Sequence, residues 1–172
     1  FMKKAFSIYF VLSLIALVMS AQPTVTVGPY LQSPTPSSIK IKWRSDIAAT
    51  SKVMYGPSPT SLTMSAIDPT STTWHTVQVT GLAPYTRYYY AIYNDSTFAE
   101  GGDSMHTFRT FPTPGTDVHV RAWGIGDFGK GNDKQVRVRQ GYEGFDSVET
   151  NLWLWMGDNV YDDGLESEYL TK

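Results

Sequence analysis

Between Ser38 and Arg44 the chain alternates with a period of two. Ile39, Ile41 and Trp43 are apolar, while Lys40, Lys42 and Arg44 are charged. That period turns one face of an extended strand toward a core and the other toward water. Similar short stretches recur as far as Phe111. They predict seven strands, at 24–31, 38–44, 52–56, 61–66, 74–80, 85–93 and 104–111. Val53 and Tyr55 face inward on the third, and Val77 and Val79 on the fifth. Gly, Pro, Asn, Asp and Ser mark the turns between them. Short strands at this spacing predict a two-sheet antiparallel sandwich.

The pattern changes after Pro112-Thr113-Pro114-Gly115-Thr116, where Pro and Gly stop the last strand and open a linker over 112–117. Val118 to Ile125 is apolar enough for a buried parallel strand. Asn132 with Gln135 three residues on has the form of a capping box. Val138, Tyr142 and Phe145 then fall on one helical face. Leu152 to Met156 is a second, wholly apolar strand. Two strands joined through a helix run parallel. Each ends in Gly-Asp, as Gly126-Asp127 and Gly157-Asp158. The glycines let the chain turn sharply there. Ligands of open α/β sheets sit beyond the carboxyl ends of the strands. The two aspartates are therefore predicted to meet at one site, with Tyr161 three residues beyond the second. The fold class is an all-β sandwich over 22–111, followed over 118–172 by the start of an α/β domain.

The first residues are different again. Lys3 and Lys4 precede an apolar run from Ala5 to Val18, closed by the small residues Ser20 and Ala21. This is the order of a secretory signal peptide, predicted over 1–21 with cleavage after Ser20 or Ala21. The run falls short of the ~20 residues of a spanning helix. The expected location is secreted or periplasmic, with no stable membrane anchor after cleavage. The absence of cysteine excludes a disulfide framework, thiol catalysis and thiolate metal ligands. With 14 basic against 16 acidic residues and no basic patch, nothing favours nucleic acid as a partner.

Two carboxylates brought together repel and shift one another's protonation, and a cation removes that cost. Carboxylate and phenol oxygens suit a hard or borderline metal. A tyrosine ligates well only as the phenolate, which a highly charged ion favours. One Gly-Asp alone is a turn, whereas the pair points to a site. Gly124-x-Gly126-x-x-Gly129 also matches a dinucleotide fingerprint. Asp127 inside that loop would repel a pyrophosphate, and a nucleotide site leaves Asp158 unexplained. Asn159 is expected to shape its turn rather than to bind.

Two resemblances extend this reading. Trp43 and the run Leu82-Ala83-Pro84-Tyr85-Thr86-Arg87-Tyr88 resemble the core tryptophan and the Leu-x-Pro-x-Thr-x-Tyr run of fibronectin type III domains, with Tyr88 as the tyrosine corner. Gly126-Asp127-Phe128-Gly129 and Gly157-Asp158-Asn159-Val160-Tyr161 resemble the first two motifs of the purple acid phosphatases, Asp-x-Gly and Gly-Asp-x-x-Tyr. These are calcineurin-like metallophosphoesterases that carry a fibronectin-like domain before the catalytic one. The resemblance implies an acid phosphatase hydrolysing phosphate monoesters. Its binuclear centre would hold Fe³⁺ with a divalent Fe, Zn or Mn. Asp127 would bind the ferric ion, Asp158 would bridge both ions, and Tyr161 would bind the ferric ion and give the purple colour.

The family's further motifs, Asn-His-Glu/Asp, Val-x-x-His and Gly-His-x-His, do not occur here. His75, His106 and His119 are read as structural or surface residues. The expectation is an N-terminal fragment with an incomplete catalytic domain, inactive alone, and with no catalytic residue beyond its metal ligands. The alternatives are another secreted metallophosphoesterase or phosphodiesterase, or a non-catalytic sandwich that binds through aromatics such as Tyr89 and Tyr93. Asn94-Asp95-Ser96 has the form of a glycosylation acceptor.

Overall fold

The computed structural model describes residues 21–144 and 150–171. The signal-peptide reading of residues 1–20, and Phe145 on the predicted helix face, lie outside the described residues. Six strands form one antiparallel hydrogen-bonded sheet: β1 (Val25–Gln32), β2 (Ser38–Gly56), β3 (Met64–Thr80), β4 (Arg87–Asn94), β5 (Thr97–Gly101) and β6 (Thr107–Arg109). The expectation of seven separate strands is corrected here. The stretches predicted at 38–44 and 52–56 are two halves of β2, and those at 61–66 and 74–80 merge into β3. Alternation lapses at Asp46, Ile47 and Ala48, which are exposed. The backbone ladder nevertheless continues through register shifts between Arg44, Ala49 and Ser51. Periodicity therefore breaks where hydrogen bonding does not, and the bulged corner carries both long strands from one layer to the other.

The first half of β2 pairs with β1 and with the second half of β3. Its second half pairs with β4 and with the first half of β3. Strand β5 follows a tight turn in which Asp95 takes a left-handed φ of 53° and Asn94 pairs with Thr97. Its Thr-Phe-Ala-Glu-Gly run has no clear alternation, which is why sequence pattern misses it. Ile39, Ile41, Trp43, Val77 and Val79 from one layer and Val53, Tyr55, Tyr88, Tyr90, Ile92 and Phe108 from the other belong to one buried cluster. This shared core makes the folded-over sheet a sandwich. Every inward position predicted on β2 and β3 is buried. The tyrosine corner forms as expected, with the Ala83 amide donating to the Tyr88 hydroxyl at 3.0 Å.

The corner of β2 is pinned by a polar group. His75 of β3 is buried, and its Nε2 and Nδ1 each lie 2.8 Å from a serine hydroxyl, Ser45 before the corner and Ser51 after it. Ser45 donates to the Ile47 carbonyl at 2.7 Å, so its oxygen accepts from Nε2–H while Ser51 donates to Nδ1. The ring stacks on Trp43 at 4.7 Å. Burial holds the proton affinity of His75 below the usual histidine range, against the attraction of Asp95 and Asp68. The folded state thus takes up this proton less readily than the unfolded chain. Stability from His75 is complete above the unfolded value of about 6.5 and declines as pH falls below it. Chemical unfolding between pH 7 and 5 should show this loss, with a slope no steeper than about 1.4 kcal/mol per pH unit for one proton. His75→Gln should be less stable throughout and show a shallower slope. An unchanged slope would mean that another group carries the effect.

Asn94 fits its acceptor motif poorly. Its side chain is buried, with Oδ1 accepting from Trp43 Nε1 at 2.9 Å and Nδ2 directed to the Pro23 carbonyl at 3.4 Å. The nitrogen that a glycan would join is inside the fold, so the motif is not a usable acceptor in the folded chain.

After the linker come β7 (Ala122–Ile125), helix α1 (Asp133–Gly144), β8 (Leu152–Trp155) and the short helix α2 (Glu166–Thr171). Strands β7 and β8 pair in parallel, Ala122 with Leu152 through Ile125 with Trp155, as the strand–helix–strand pattern requires. Asn132 caps α1 by accepting from the Lys134 and Gln135 amides at 3.0 and 3.3 Å. Gln135 Oε1 accepts from the Gly131 amide at 2.6 Å, one residue before the cap rather than at the cap itself. Tyr142 of α1 stacks on Trp123 at 4.2 Å and meets Trp153 edge-on. The expectation of a buried strand over 118–125 is corrected. Only 122–125 is strand, and Val120, Trp153, Leu154 and Trp155 are all exposed by 43 to 57%. Two strands and one helix cannot enclose both faces of a sheet.

Candidate functional site

The strands β7 and β8 end side by side, and their pairing does not stop where they end. The Met156 amide donates to the Ile125 carbonyl at 2.8 Å, and the Asp127 amide to Gly157 at 3.2 Å. The Gly129 amide then donates to Asp158 at 3.2 Å, and the Tyr161 amide to Gly129 at 2.9 Å. The two turns are thus zipped together through their backbones. Asp127 and Asp158 both take left-handed conformations, with φ of 55° and 51°. Aspartate tolerates this region better than most residues. The aspartates themselves, with Gly157 at φ 109°, therefore make the reversals that were expected of the preceding glycines. Each aspartate turns at the same point of its own strand, so both side chains leave the sheet edge together.

Tyr161 closes the group. Its hydroxyl lies 2.9 Å from Asp127 Oδ1 and 2.5 Å from Asp158 Oδ2. All three residues singled out in the sequence are thus brought to one point. The hydrogen bond to Asp158, then lost hydration and the bond to Asp127, hold the phenol's proton far more tightly than usual. That proton lies between two carboxylates, where a cation would relieve the same repulsion. Among the described residues, no three His, Cys, Asp or Glu side chains gather to hold a metal. Two aspartates and a tyrosine are a partial set of hard oxygen donors, and they fit a hard or highly charged ion. Of the remaining candidates, Asn159 has its Oδ1 buried without a hydrogen-bond partner among the described residues.

Histidines do not join the site. His75 lies in the sandwich core. His106 is held between Asp103 and Glu100 at 2.9 and 3.2 Å, and this contact holds the Asp103 carboxyl down at about 2. His119 is exposed. Sequence reading missed Lys130, whose ammonium lies 4.5 Å from the Tyr161 ring centre and 2.9 Å from Asp162. Its place in Gly129-Lys130-Gly131, three residues after Asp127, was the available signal. Glu168 was missed as well. Its carboxylate accepts from the Asp162, Asp163 and Leu165 amides at 2.7 to 3.1 Å, and spacing gives no hint of that.

Comparison with known proteins bears on the sandwich and on the fold. Residues 25–110 match the family model of the purple acid phosphatase N-terminal domain. The chain belongs to that family. The purple acid phosphatase resemblance read from the two Gly-Asp turns therefore stands behind a sandwich of the matching family. A solved structure titled "Structure of PhoD" superimposes with a TM-score of 0.62 at 17% identity, over 86% of this chain. A match of that extent reaches past the sandwich into the β7–α1–β8 unit, and at that identity it speaks for the fold alone. The chain spans about 30% of that structure's length. The fibronectin type III domain of human contactin 1 aligns at 14% identity over 58% of this chain and 85% of its own, with a TM-score of 0.41. No curated protein matches the sequence. The matched family model lies wholly within the sandwich.

Proposed function

We propose that the protein bearing this chain is a secreted or periplasmic acid phosphatase that hydrolyses phosphate monoesters at a two-metal centre. The observation that carries this reading is the meeting of Asp127, Asp158 and Tyr161 at one hydroxyl. Asp127 and Tyr161 would hold a ferric ion, and Asp158 would be shared between it and a divalent Fe, Zn or Mn. Metal ions held there supply charge neutralisation for a phosphoryl group and a nucleophile from water. The chain's own part is to fix two carboxylates side by side on zipped turns and to surrender the Tyr161 proton. Lys130 lies against the Tyr161 ring and pairs with Asp162, so it would hold that ring in place rather than bind a metal. The substrate partner would be a phosphate monoester. Among the described residues, no helix is long and apolar enough to cross a membrane.

Metal titration of the chain tests this. Asp127→Asn should weaken binding by more than the roughly 10–100-fold that loss of an outer partner costs. Tyr161→Phe should retain part of the affinity but lose any visible charge-transfer absorbance with Fe³⁺. Equal metal content in the parent and in Asp127→Asn would reject the assignment.

The reading of the sandwich as an independent binding module gains nothing from Tyr89 and Tyr93, neither of which is fully exposed. Tyr93 is only half-exposed, covered by Lys52 at 5.3 Å and met edge-on by Phe98.

A further inference from the structure

The segment after Tyr161 is tied at both of its ends. Lys130 pairs with Asp162, and Glu168 collects the amides of Asp162, Asp163 and Leu165 into a tight turn. At the start of α2, Glu166 pairs with Arg44. Arg44 belongs to β2 of the sandwich and lies far from Tyr161 in sequence. Its guanidinium is already placed, because it stacks 4.8 Å from the ring of Trp74, its cross-strand partner on β3. A stacked arginine presents its N–H donors in a fixed direction, which a free surface lysine does not. The contacts therefore run without a gap from the sandwich through Glu166 and the Glu168 turn to Asp162, and from Asp162 to Tyr161.

We propose that Arg44 is a positioning residue, a latch by which the sandwich holds the 162–168 turn and so the Tyr161 ring over Asp127 and Asp158. The latch deepens the metal-site reading and rests on it for its consequence, though not for its existence. It gives the N-terminal sandwich a defined task toward the site. The sandwich supplies no ligand, and it restrains the segment that carries one.

Hydrogen exchange of the chain with and without Mn²⁺, alongside Fe³⁺ titration, tests this. Arg44→Ala and Glu166→Gln should each speed exchange of the 162–168 amides by about two- to fivefold, the range open to one partly exposed ion pair. Exchange in β2 and β3 should be unchanged in Glu166→Gln, which leaves the stacking of Arg44 on Trp74 intact. The double charge reversal Arg44→Glu with Glu166→Arg should restore slow exchange, which a merely local loss of packing would not do. Apparent Fe³⁺ affinity should fall and recover in parallel. Unchanged exchange at 162–168 in the single variants would overturn the latch. Faster exchange with unaltered Fe³⁺ affinity would overturn its link to the site. Faster exchange in a chain whose parent binds no metal would uphold the latch and sink the metal reading instead.

Discussion

Gly129→Ala should dismantle the candidate site while leaving the sandwich folded. Gly129 is buried where the first turn crosses the second, and a Cβ there would sit 2.2 Å from the backbone N and Cα of Val160. The carbonyl carbon of Asn159 would be 2.4 Å away. All three obstacles are main-chain atoms, so no rotamer change can make room. Relief requires the two turns to part. That breaks the Gly129–Asp158 and Tyr161–Gly129 backbone bonds and draws Asp127 away from Asp158 and Tyr161. Overpacking that side chains can absorb costs about 1–3 kcal/mol, and here the upper end or beyond is expected. Metal titration should show binding reduced to near the level of Asp127→Asn, with the thermal transition of the sandwich unmoved. Gly141→Ala is the control. It lies in α1 with nothing within 4 Å of an added Cβ. Alanine there should be neutral or stabilise by about 0.5–1 kcal/mol. Undiminished metal binding by Gly129→Ala would show that the close crossing of the turns does not build the site.

The second large effect is expected at Trp43, and it concerns folding rather than chemistry. The side chain is fully buried, stacks on His75 and donates to Asn94. Trp43→Ala should cost about 3–5 kcal/mol for the lost burial and cavity. The stranded Asn94 acceptor adds about 1–3 kcal/mol. Total stabilities run at about 5–15 kcal/mol, so much of the population should be unfolded at 37 °C. Denaturant unfolding followed by circular dichroism measures this directly. Trp74→Ala makes the contrast, because Trp74 is 51% exposed on the outer face of the same ladder. Its cost should stay within about 1 kcal/mol, the value of a surface cation–π contact. Similar losses at the two tryptophans would contradict the division of inner and outer faces.

These two positions also separate what pattern reveals from what it hides. Trp43 is legible because its neighbours alternate and a half-buried strand has only two faces. Tyr88 is legible because its corner is a local motif whose partner, Ala83, lies five residues away. Asp127, Asp158 and Tyr161 could be named because parallel strands deliver their ends to one edge. Asn94 was misread. Its three-residue motif is local, whereas its burial depends on Trp43 and Pro23, both distant in the chain. The length of β2 was misread because a bulged corner interrupts alternation without interrupting hydrogen bonding.

The sequence by itself determined the sandwich class, its inward positions, the parallel β7–β8 pair and the three residues at its end. Each follows from a period or a spacing that the backbone converts directly into position. Only the tertiary structure decided how those residues meet. The backbone zipper between two turns, the close crossing at Gly129 and the Arg44–Glu166 pair all join residues far apart in the chain. Contacts of that kind depend on how two segments fall against one another in space, and no one-dimensional pattern records it.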